Sequence, residues 1–303
     1  MSYSYNVKLD LCKKDVDLCC MKAELYGFLL FSNTFTTKEI TFITGHIEIF
    51  NRYKEFFEYL NIENYTVKVK GKKNITHAFT IDNIEIITKF LQSLNNCSIQ
   101  SPLHIDYAVL EKECCMSSFL RGAFIAGGFI SDPQKTYQLE ITTSHILLAD
   151  DLAKLCSEFD IYPKMTTRSG NRVLYIKTAE SIKDFLTIIG SLDYMFDFTN
   201  TVIIKDMRNG INRIVNCESA NIDKTIIASE IHIQSINILK ALSYKGLSDQ
   251  LIEIAELRLK NPDFSLEQLG KLCIPPMSKS GVSHRLKKIS EIAMNLNNKK
   301  GKI

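Results

Sequence analysis

Residues 120–128 read Leu120-Arg-Gly-Ala-Phe-Ile-Ala-Gly-Gly, and residues 25–33 read Leu25-Tyr-Gly-Phe-Leu-Leu-Phe-Ser-Asn. Both stretches have the apolar pattern of a helix, carry glycine in the third place and contain small residues near their ends. A repeat at an interval of roughly 95–100 residues predicts two copies of one structural unit. Gly27 and Gly122 would let the backbones of the two helices approach closely.

The sequence after each glycine stretch continues the similarity between the two halves. Each half offers an extended pair, a helical segment, a second hairpin and a closing helix. The segments are 35–44, 52–62, 65–74 and a helix ending at Ser93-Leu94 in the first half, and 129–142, 152–161, 164–177 and a helix ending at Ser191-Leu192 in the second. This order predicts an α+β fold whose duplicated domain covers residues 1–215, in halves of about 1–100 and 101–215.

A helical linker is predicted over residues 216–246. Apolar residues recur near helical spacing from about Asn221 to Ser243, which is typical of a long amphipathic helix, and Gly246 ends the pattern. The predicted apolar stripe consists of Ile222, Ile226, Ile227, Ile233, Ile236 and Leu239. The lone His232 in this helix is assigned no function.

Two short helices are predicted at the start of an all-α domain over residues 247–303. Ser248 is placed to cap the first helix, which ends before Pro262, and Ser265 with Gln268 has the pattern of a capping box for the second. The positions predicted to face inward are Leu251, Ile254, Ala255, Leu257 and Leu259 in the first helix, and Leu266, Leu269 and Leu272 in the second.

A third helix follows a turn that Pro275 and Pro276 enforce. Gly270 lies where the flanking helices would approach each other closely. The predicted buried face of the third helix consists of Val282, Leu286 and Ile289. Hydroxyl and basic residues on the other faces are typical of the recognition helix of a helix-turn-helix, which enters the DNA major groove. The predicted DNA-binding residues are Ser278, Lys279, Ser280, Ser283, His284, Arg285, Lys287 and Lys288.

The net charge of +3 over 303 residues is unevenly distributed. From Tyr244 to the C-terminus, eleven basic side chains stand against six acidic ones, so this segment carries +5 and the rest of the chain −2. A small basic domain indicates a polyanionic partner, which together with the helical pattern predicts double-stranded DNA.

Basic residues also occur on the predicted hairpins of the duplicated domain. They are Lys68, Lys70, Lys72 and Lys73 in the first half, and Lys164, Arg168, Arg172 and Lys177 in the second. Alternating lysines could track phosphates as secondary DNA contacts. They could equally keep an exposed strand soluble and protect a sheet edge. The slight negative charge of this domain favours the second interpretation.

The nine cysteines form no C-x-x-C motif, and no histidine stands at zinc-finger spacing. We therefore expect reduced thiols packed in the core, and neither a metal nor another cofactor. No run of eighteen apolar residues occurs, and the N-terminus lacks the pattern of a signal peptide. We expect a cytoplasmic, nucleoid-associated protein with no membrane partner and no small-molecule substrate.

The duplicated plan resembles the LAGLIDADG homing endonucleases, and residues 120–128 are the better match. In that family the eighth position of each glycine stretch is an acidic residue that binds the catalytic metal. The eighth positions here are Ser32 and Gly127, and neither offers an anionic oxygen to Mg²⁺. Asp132, on a predicted turn before Pro133, does not replace them. The resemblance therefore implies a nuclease-like fold without nuclease activity.

Several longer stretches resemble the WhiA regulators of Gram-positive bacteria. They are residues 119–128, 212–225, 257–263, 265–270 and 275–289. The resemblance covers nearly the whole chain. It implies a degenerate LAGLIDADG domain joined to a helix-turn-helix, with a role in sporulation-linked transcription in some lineages and in cell division and chromosome segregation more widely.

Three functional hypotheses follow. The first is a sequence-specific transcription regulator, and the second a metal-dependent nuclease, against which Ser32 and Gly127 argue. The third is a division-associated interaction protein that recruits another transcription regulator or a division protein. The oligomeric state is left open, because one helix-turn-helix per chain often needs a dimer or a second contact surface for specific binding.

Overall fold

The structure is a computed structural model that describes residues 2–63, 65–71, 75–95, 97–99 and 102–300, with side chains to residue 296. The chain forms two compact units, Met1–Asp206 and Met207–Ile303. Helix α8, Leu192–Lys240, runs through this division and also through the predicted domain boundary at residue 215. None of the helices in the described residues combines the length and apolar character needed to cross a membrane.

The first unit repeats one order of elements. Helix α1, Tyr3–Cys12, precedes both repeats. The first repeat contains α2 (Leu18–Leu30), β1 (Thr34–Phe35), β2 (Ile40–Thr44), α3 (Ile47–Tyr59), β3 (Thr66–Lys70), β4 (Thr76–Ile81) and α4 (Ile84–Ser93). The second contains α5 (Glu113–Gly127), β5 (Gly128–Ile130), β6 (Leu139–Thr143), α6 (Ile146–Ser157), β7 (Lys164–Arg168), β8 (Asn171–Ile176) and α7 (Ala179–Ile188). The predicted α+β duplication is confirmed.

Two details differ from the sequence prediction. Helix α1 was not predicted, although Val7 and Leu11 on it are fully buried in the core of the first unit. The closing helix of the second repeat ends at Ile188, and Leu192 begins α8 instead of ending that helix. The chain turns between them at Gly190, whose φ of +86° lies in the left-handed region that glycine adopts without strain.

Each repeat contributes one antiparallel sheet of four strands, ordered β1-β2-β4-β3 and β5-β6-β8-β7. Side chains alternate between the two faces of a strand. Phe42, Phe79 and Ile81 are buried on one face of the first sheet, and Leu174 and Ile176 on one face of the second. We call this the inner face of each sheet and the opposite one the outer face.

Helices α2 and α5 pack backbone against backbone at their two glycines. A Cβ atom at Gly27 would lie 2.3 Å from the carbonyl oxygen of Phe119, and one at Gly122 would lie 2.0 Å from that of Glu24. Both distances are far below van der Waals contact, so any side chain at either position would push the helices apart. The close approach that the repeated glycines predict is present.

A buried ionic cluster joins the two repeats beside this contact. Glu24 is fully buried and accepts two hydrogen bonds from Arg52, at 2.6 and 2.9 Å, and one from Arg121 at 3.1 Å. Arg52 also donates to the carbonyl oxygens of Cys12 and Lys14, and Arg121 donates to a carbonyl between α7 and α8. Burial disfavours the charged form of Arg52, but its hydrogen bonds with Glu24 and the negative charge of Glu24 together outweigh this and raise the pKa of Arg52.

The second unit is helical, with the C-terminal part of α8 followed by α9 (Asp249–Lys260), α10 (Leu266–Leu272) and α11 (Lys279–Lys300). Its core includes Ile236, Leu239, Leu251, Ile254, Ala255, Leu269, Val282, Leu286 and Ile289. Part of the predicted apolar stripe is not buried, since Ile222, Ile226 and Ile227 are exposed on α8. The prediction that Leu272 faces inward is wrong, because its side chain is 44% exposed at the end of the seven-residue α10.

Replacing Gly122 by alanine should strongly destabilise the first unit, by about 3 kcal/mol or more, because the new methyl group has no space against a backbone carbonyl. The matched control is Gly210→Ala in α8, where no atom lies within 4 Å of the added Cβ. That control should be neutral or stabilising by about 0.5–1 kcal/mol. Hydrogen exchange of α2 and α5 peptides measures the effect, and unchanged protection in Gly122→Ala would contradict the close contact.

Removing the carboxylate of Glu24 should cost about 3–5 kcal/mol, because Glu24→Ala leaves two buried guanidinium groups without a counter-charge. The control is Glu267→Ala, which removes a carboxylate that pairs with Lys271 at 3.1 Å on the surface. Exposed pairs contribute little, so this variant should unfold almost as the wild type does. Calorimetry of the full chain measures both, and equal transitions in the two variants would show that the buried cluster does not stabilise the fold.

Candidate nucleic-acid interface

The start of α10 is fixed by two hydrogen bonds between Ser265 and Gln268. The Ser265 hydroxyl accepts from the backbone N–H of Gln268 at 3.3 Å, and the Ser265 N–H donates to the Gln268 side chain at 2.8 Å. The predicted capping box is therefore confirmed. Ser248 holds the N-cap position of α9 as predicted, but its side chain makes no capping hydrogen bond.

Arg258 organises the connection between α9 and α10. It is 1% exposed, and its Nη1 donates to the carbonyl oxygens of Asn261, Pro262 and Phe264 at 3.4, 3.3 and 2.7 Å. The hydroxyl of Ser229 on α8 donates to the same Pro262 carbonyl at 2.6 Å. By sequence, Arg258 is one of eleven basic residues in the predicted DNA-binding domain. In the structure its guanidinium group is buried and bonded to backbone carbonyls.

The turn before α11 packs directly on α10. A Cβ at Gly270 would lie 2.2 Å from the Met277 carbonyl oxygen, and the Met277 N–H donates to the Gly270 carbonyl at 2.8 Å. Only glycine fits this position, as the sequence predicts for the close approach of two helices. Because Met277 lies two residues before Lys279, the first residue of α11, this contact fixes where α11 begins relative to α10.

Ser278 and Arg285 have partners within the second unit. Ser278 is the residue before α11, and its hydroxyl accepts from the N–H of Gly281 at 3.3 Å and lies 3.0 Å from the Ser280 hydroxyl. This is the geometry of an N-cap. Arg285 is half-buried, and its Nη2 donates to the Gln250 side chain on α9 at 3.1 Å.

The other predicted recognition residues are exposed on α11. They are Lys279, Ser280, Ser283, His284, Lys287 and Lys288. Among the side chains that the structure describes, no carboxylate lies within 4.0 Å of a lysine of this set. Val282, Leu286 and Ile289 are fully buried on the opposite side of the helix, as predicted. Helix α11 thus presents a hydroxyl-rich start and unneutralised positive charge to its surroundings.

His232 lies on α8 within the second unit. Burial and, after it, the positive charge of Arg258 lower the pKa of His232, so its ring is neutral at physiological pH. Its Nδ1 atom has no hydrogen-bond partner among the described residues. These features fit a packed side chain, and nothing in them assigns His232 a contact with a ligand.

The basic residues of the sheets fall on different faces. The register opposes Lys68 to Ala78 and Lys70 to Thr76, which places both lysines on the outer face of the first sheet. Lys164 lies on the outer face of the second sheet, opposite Tyr175. Lys72 and Lys73 lie outside the described residues. Lys177 follows β8, with its Nζ 5.1 Å from the centre of the Tyr175 ring.

The two arginines of the second sheet are already engaged. Arg168 lies on the outer face, where it forms an ion pair with Glu140 at 3.2 Å. Arg172 alternates onto the inner face with Leu174, is half-buried and donates to the Thr167 hydroxyl at 3.3 Å. The sheets therefore offer less free positive charge than the sequence indicates.

The positions of the catalytic carboxylates of LAGLIDADG endonucleases carry no acid. The Ser32 hydroxyl donates to the Leu29 carbonyl at 2.9 Å, and a Cβ at Gly127 would lie 2.7 Å from the Thr142 carbonyl oxygen. Asp132 accepts a hydrogen bond from the Gln134 N–H at 2.9 Å within its turn. In the described residues, the one group of three or more His, Cys, Asp or Glu side chains close enough to hold a metal consists of Cys19, Cys114 and Cys115.

The cysteines are not all in the core, contrary to the sequence expectation. Cys114 and Cys217 are exposed, and Cys12 and Cys19 are half-buried. None of the nine forms a disulfide, since all are free thiols.

The structure defines a class of protein with a duplicated LAGLIDADG-like domain followed by a helix-turn-helix. Known protein families match both of these domains. The WhiA LAGLIDADG-like domain matches residues 29–113 and 116–208, and the WhiA C-terminal HTH domain matches residues 211–293.

Whole-length relatives give the same result. The chain is 38% identical to a probable cell division protein WhiA of Ruminiclostridium cellulolyticum, over 97% of both chains. It is 40% identical to one of Clostridium tetani over 74% of this chain and 73% of that protein. A crystal structure of full-length DUF199/WhiA from Thermatoga maritima shares the fold with a TM-score of 0.61 and 23% identity, covering 97% of this chain and 99% of that one. The chain belongs to the WhiA family.

Proposed function

We propose that this protein is a sequence-specific DNA-binding regulator that cuts no DNA. It acts as a transcription factor in cell division and chromosome segregation, and in sporulation where the host sporulates, and it is located on the nucleoid. The observation that supports this most is the exposed, unneutralised face of α11, which the Gly270–Met277 contact holds in the arrangement of a helix-turn-helix.

The dimensions of α11 suit the major groove. An α-helix with its side chains is about 10–12 Å in diameter, which fits the groove width of about 12 Å. We assign base edges to Ser283 and His284, because the short side chain of Ser283 lets the backbone sit deep in the groove and the ring nitrogens of His284 can donate or accept a hydrogen bond. Lys287 and Lys288 neutralise phosphates.

The remaining predicted residues take lesser roles. Ser278 caps α11 and so positions it, and Arg285 braces it against α9 through Gln250. Lys279 adds charge at the entrance of the helix.

We assign the duplicated domain at most a secondary contact with DNA. Lys68, Lys70 and Lys164 are the outer-face residues that could reach phosphates, while Arg168 is paired with Glu140 and Arg172 faces inward. We propose that the protein has no nuclease activity because Ser32 and Gly127 stand where LAGLIDADG endonucleases carry the acidic residues that bind the metal. A carboxylate at residue 127 would also need the Thr142 carbonyl to move.

One observation favours a second candidate function, recruitment of a partner protein in cell division. Helix α8 exposes large apolar side chains between residues 203 and 227, and water-exposed apolar surface of this kind is typical of interaction sites. They are Ile203, Ile204, Met207, Ile211, Ile214, Val215, Ile222, Ile226 and Ile227. A cellular defect in an Ile211→Lys/Ile214→Lys variant that still binds DNA normally would favour recruitment over direct regulation.

Binding of the full chain to duplex sites obtained by selection from random DNA should depend on Lys287 and Lys288. The Lys287→Ala/Lys288→Ala variant loses two phosphate contacts, so the slope of log affinity against log salt should fall by about 2. The matched control is Lys89→Ala/Lys154→Ala, which removes two exposed lysines from helices of the first unit. Fluorescence anisotropy across a salt series measures all three proteins.

Two results would contradict the proposal. The first is an equal salt slope in wild type and Lys287→Ala/Lys288→Ala, which would place the phosphate contacts elsewhere. The second is cleavage of the bound duplex when Mg²⁺ or Mn²⁺ is added, which we expect not to occur.

A further inference from the structure

Two vicinal cysteine pairs occupy the same place in the two repeats. Cys19-Cys20 lies six residues before Leu25, and Cys114-Cys115 lies six residues before Leu120. Each pair is in the first turn of its glycine helix, α2 or α5. Because these helices pack against each other at their glycines, the duplication brings the pairs together although about 95 residues of chain separate them.

The sulfur atoms converge as ligands of one ion would. The Sγ atoms of Cys19, Cys114 and Cys115 all lie within 4.8 Å of one another. Thiolates around a tetrahedral Zn²⁺ have Zn–S bonds of about 2.3 Å, which puts neighbouring sulfurs about 3.8 Å apart. Side-chain shifts of about half an ångström per sulfur would bring the sulfur–sulfur distances to the value around Zn²⁺.

Cys20 is close but differently engaged. Its Sγ lies 4.0 Å from that of Cys19 and donates to the Cys114 carbonyl oxygen at 3.6 Å. Cys20 is not part of the group whose sulfur atoms all lie within 4.8 Å of one another, so it borders the cluster without supplying a fourth ligand.

Helix N-termini and two lysines lie beside the cluster. Both helices direct the positive ends of their dipoles at the cluster. Cys19 and Cys115 line a cavity of about 340 Å³ that is also lined by Lys22 and Lys112. Three thiolates with one Zn²⁺ carry a net charge of −1, and Lys22 and Lys112 together with Glu111, which also lines the cavity, carry a net charge of +1 that offsets it. A water molecule in the cavity could reach the ion and serve as its fourth ligand.

We propose that Cys19, Cys114 and Cys115 form a binding site for a thiophilic metal ion, Zn²⁺ or Cu⁺, that links the two repeats. Soft thiolate ligands select these ions over Mg²⁺, Ca²⁺ and Mn²⁺. The site does not depend on the proposed DNA-binding function. It was not recognisable as a zinc motif in the sequence because its ligands come from adjacent residues in two distant helices and not from C-x-x-C spacing.

The test is metal content of the full-length protein, purified in a reducing buffer after growth with added zinc or, separately, copper. Mass spectrometric elemental analysis should find about one equivalent of metal per chain, as expected for one three-thiolate site. Cys19→Ser/Cys114→Ser should lose it. Cys20→Ser should keep it, and so should the control Cys217→Ser, which changes an exposed cysteine on α8. Equal circular dichroism of the metal-free proteins shows that the double variant folds.

Cobalt supplies an independent readout. Co²⁺ added to metal-free wild type should give thiolate-to-cobalt charge-transfer absorption, and the double variant should not give it. The proposal is overturned if wild type holds no more zinc or copper than the double variant and gives no such band. It is also overturned if Cys19 and Cys114 become unreactive towards thiol reagents only on removal of the reductant, since that result identifies a disulfide pair.

Discussion

The contact between the backbones of α2 and α5 is the constraint on which the first unit depends. Gly27 and Gly122 leave no room for a methyl group against the facing carbonyls. The interhelical distance is therefore set by main-chain atoms and not by adaptable side chains. Both sheets, the buried Glu24 cluster and the cysteines at the helix starts take their positions from this pair of helices.

The chain keeps the helix pair of LAGLIDADG endonucleases without the acidic residues at its end. In LAGLIDADG endonucleases the ends of the two helices present acidic residues to a metal, whereas Ser32 here bonds to its own helix and Gly127 lies against Thr142. The helix pair serves as a structural axis in this chain. Basic side chains lie on the outer faces of the sheets, where Arg168 is paired with Glu140, and on the exposed face of α11.

Much of the fold could be predicted from the sequence because its signals are local. The repeated glycine stretches, the Ser265 capping box and the two prolines before α11 each specify backbone geometry within a few residues. Glu24, Arg52 and Arg121 could not be paired from sequence, since three charged residues on α2, α3 and α5 meet only after the two repeats have packed. Arg258 was counted only as one of eleven basic residues for a similar reason, since its carbonyl partners are brought to it by the turn between α9 and α10.

For the candidate site, spacing predicted which residues of α11 are buried, but not which polar ones are engaged. The exposed set was correctly separated from Val282, Leu286 and Ile289 by helical periodicity. Ser278 and Arg285 find partners in the turn and on α9, which periodicity alone does not show. The roles of the exposed residues in reading DNA stay a prediction.

Genome-wide occupancy of the full chain tests the central claim, that α11 directs the protein to specific sites. A Ser283→Glu variant places a negative charge where we expect base edges, and Asn295→Glu places the same charge at an exposed position farther along the same helix. We predict that discrete peaks of the wild type persist in Asn295→Glu and disappear in Ser283→Glu. Unchanged peaks in Ser283→Glu would show that another surface or a partner selects the DNA and would contradict the assignment of α11 as the recognition helix.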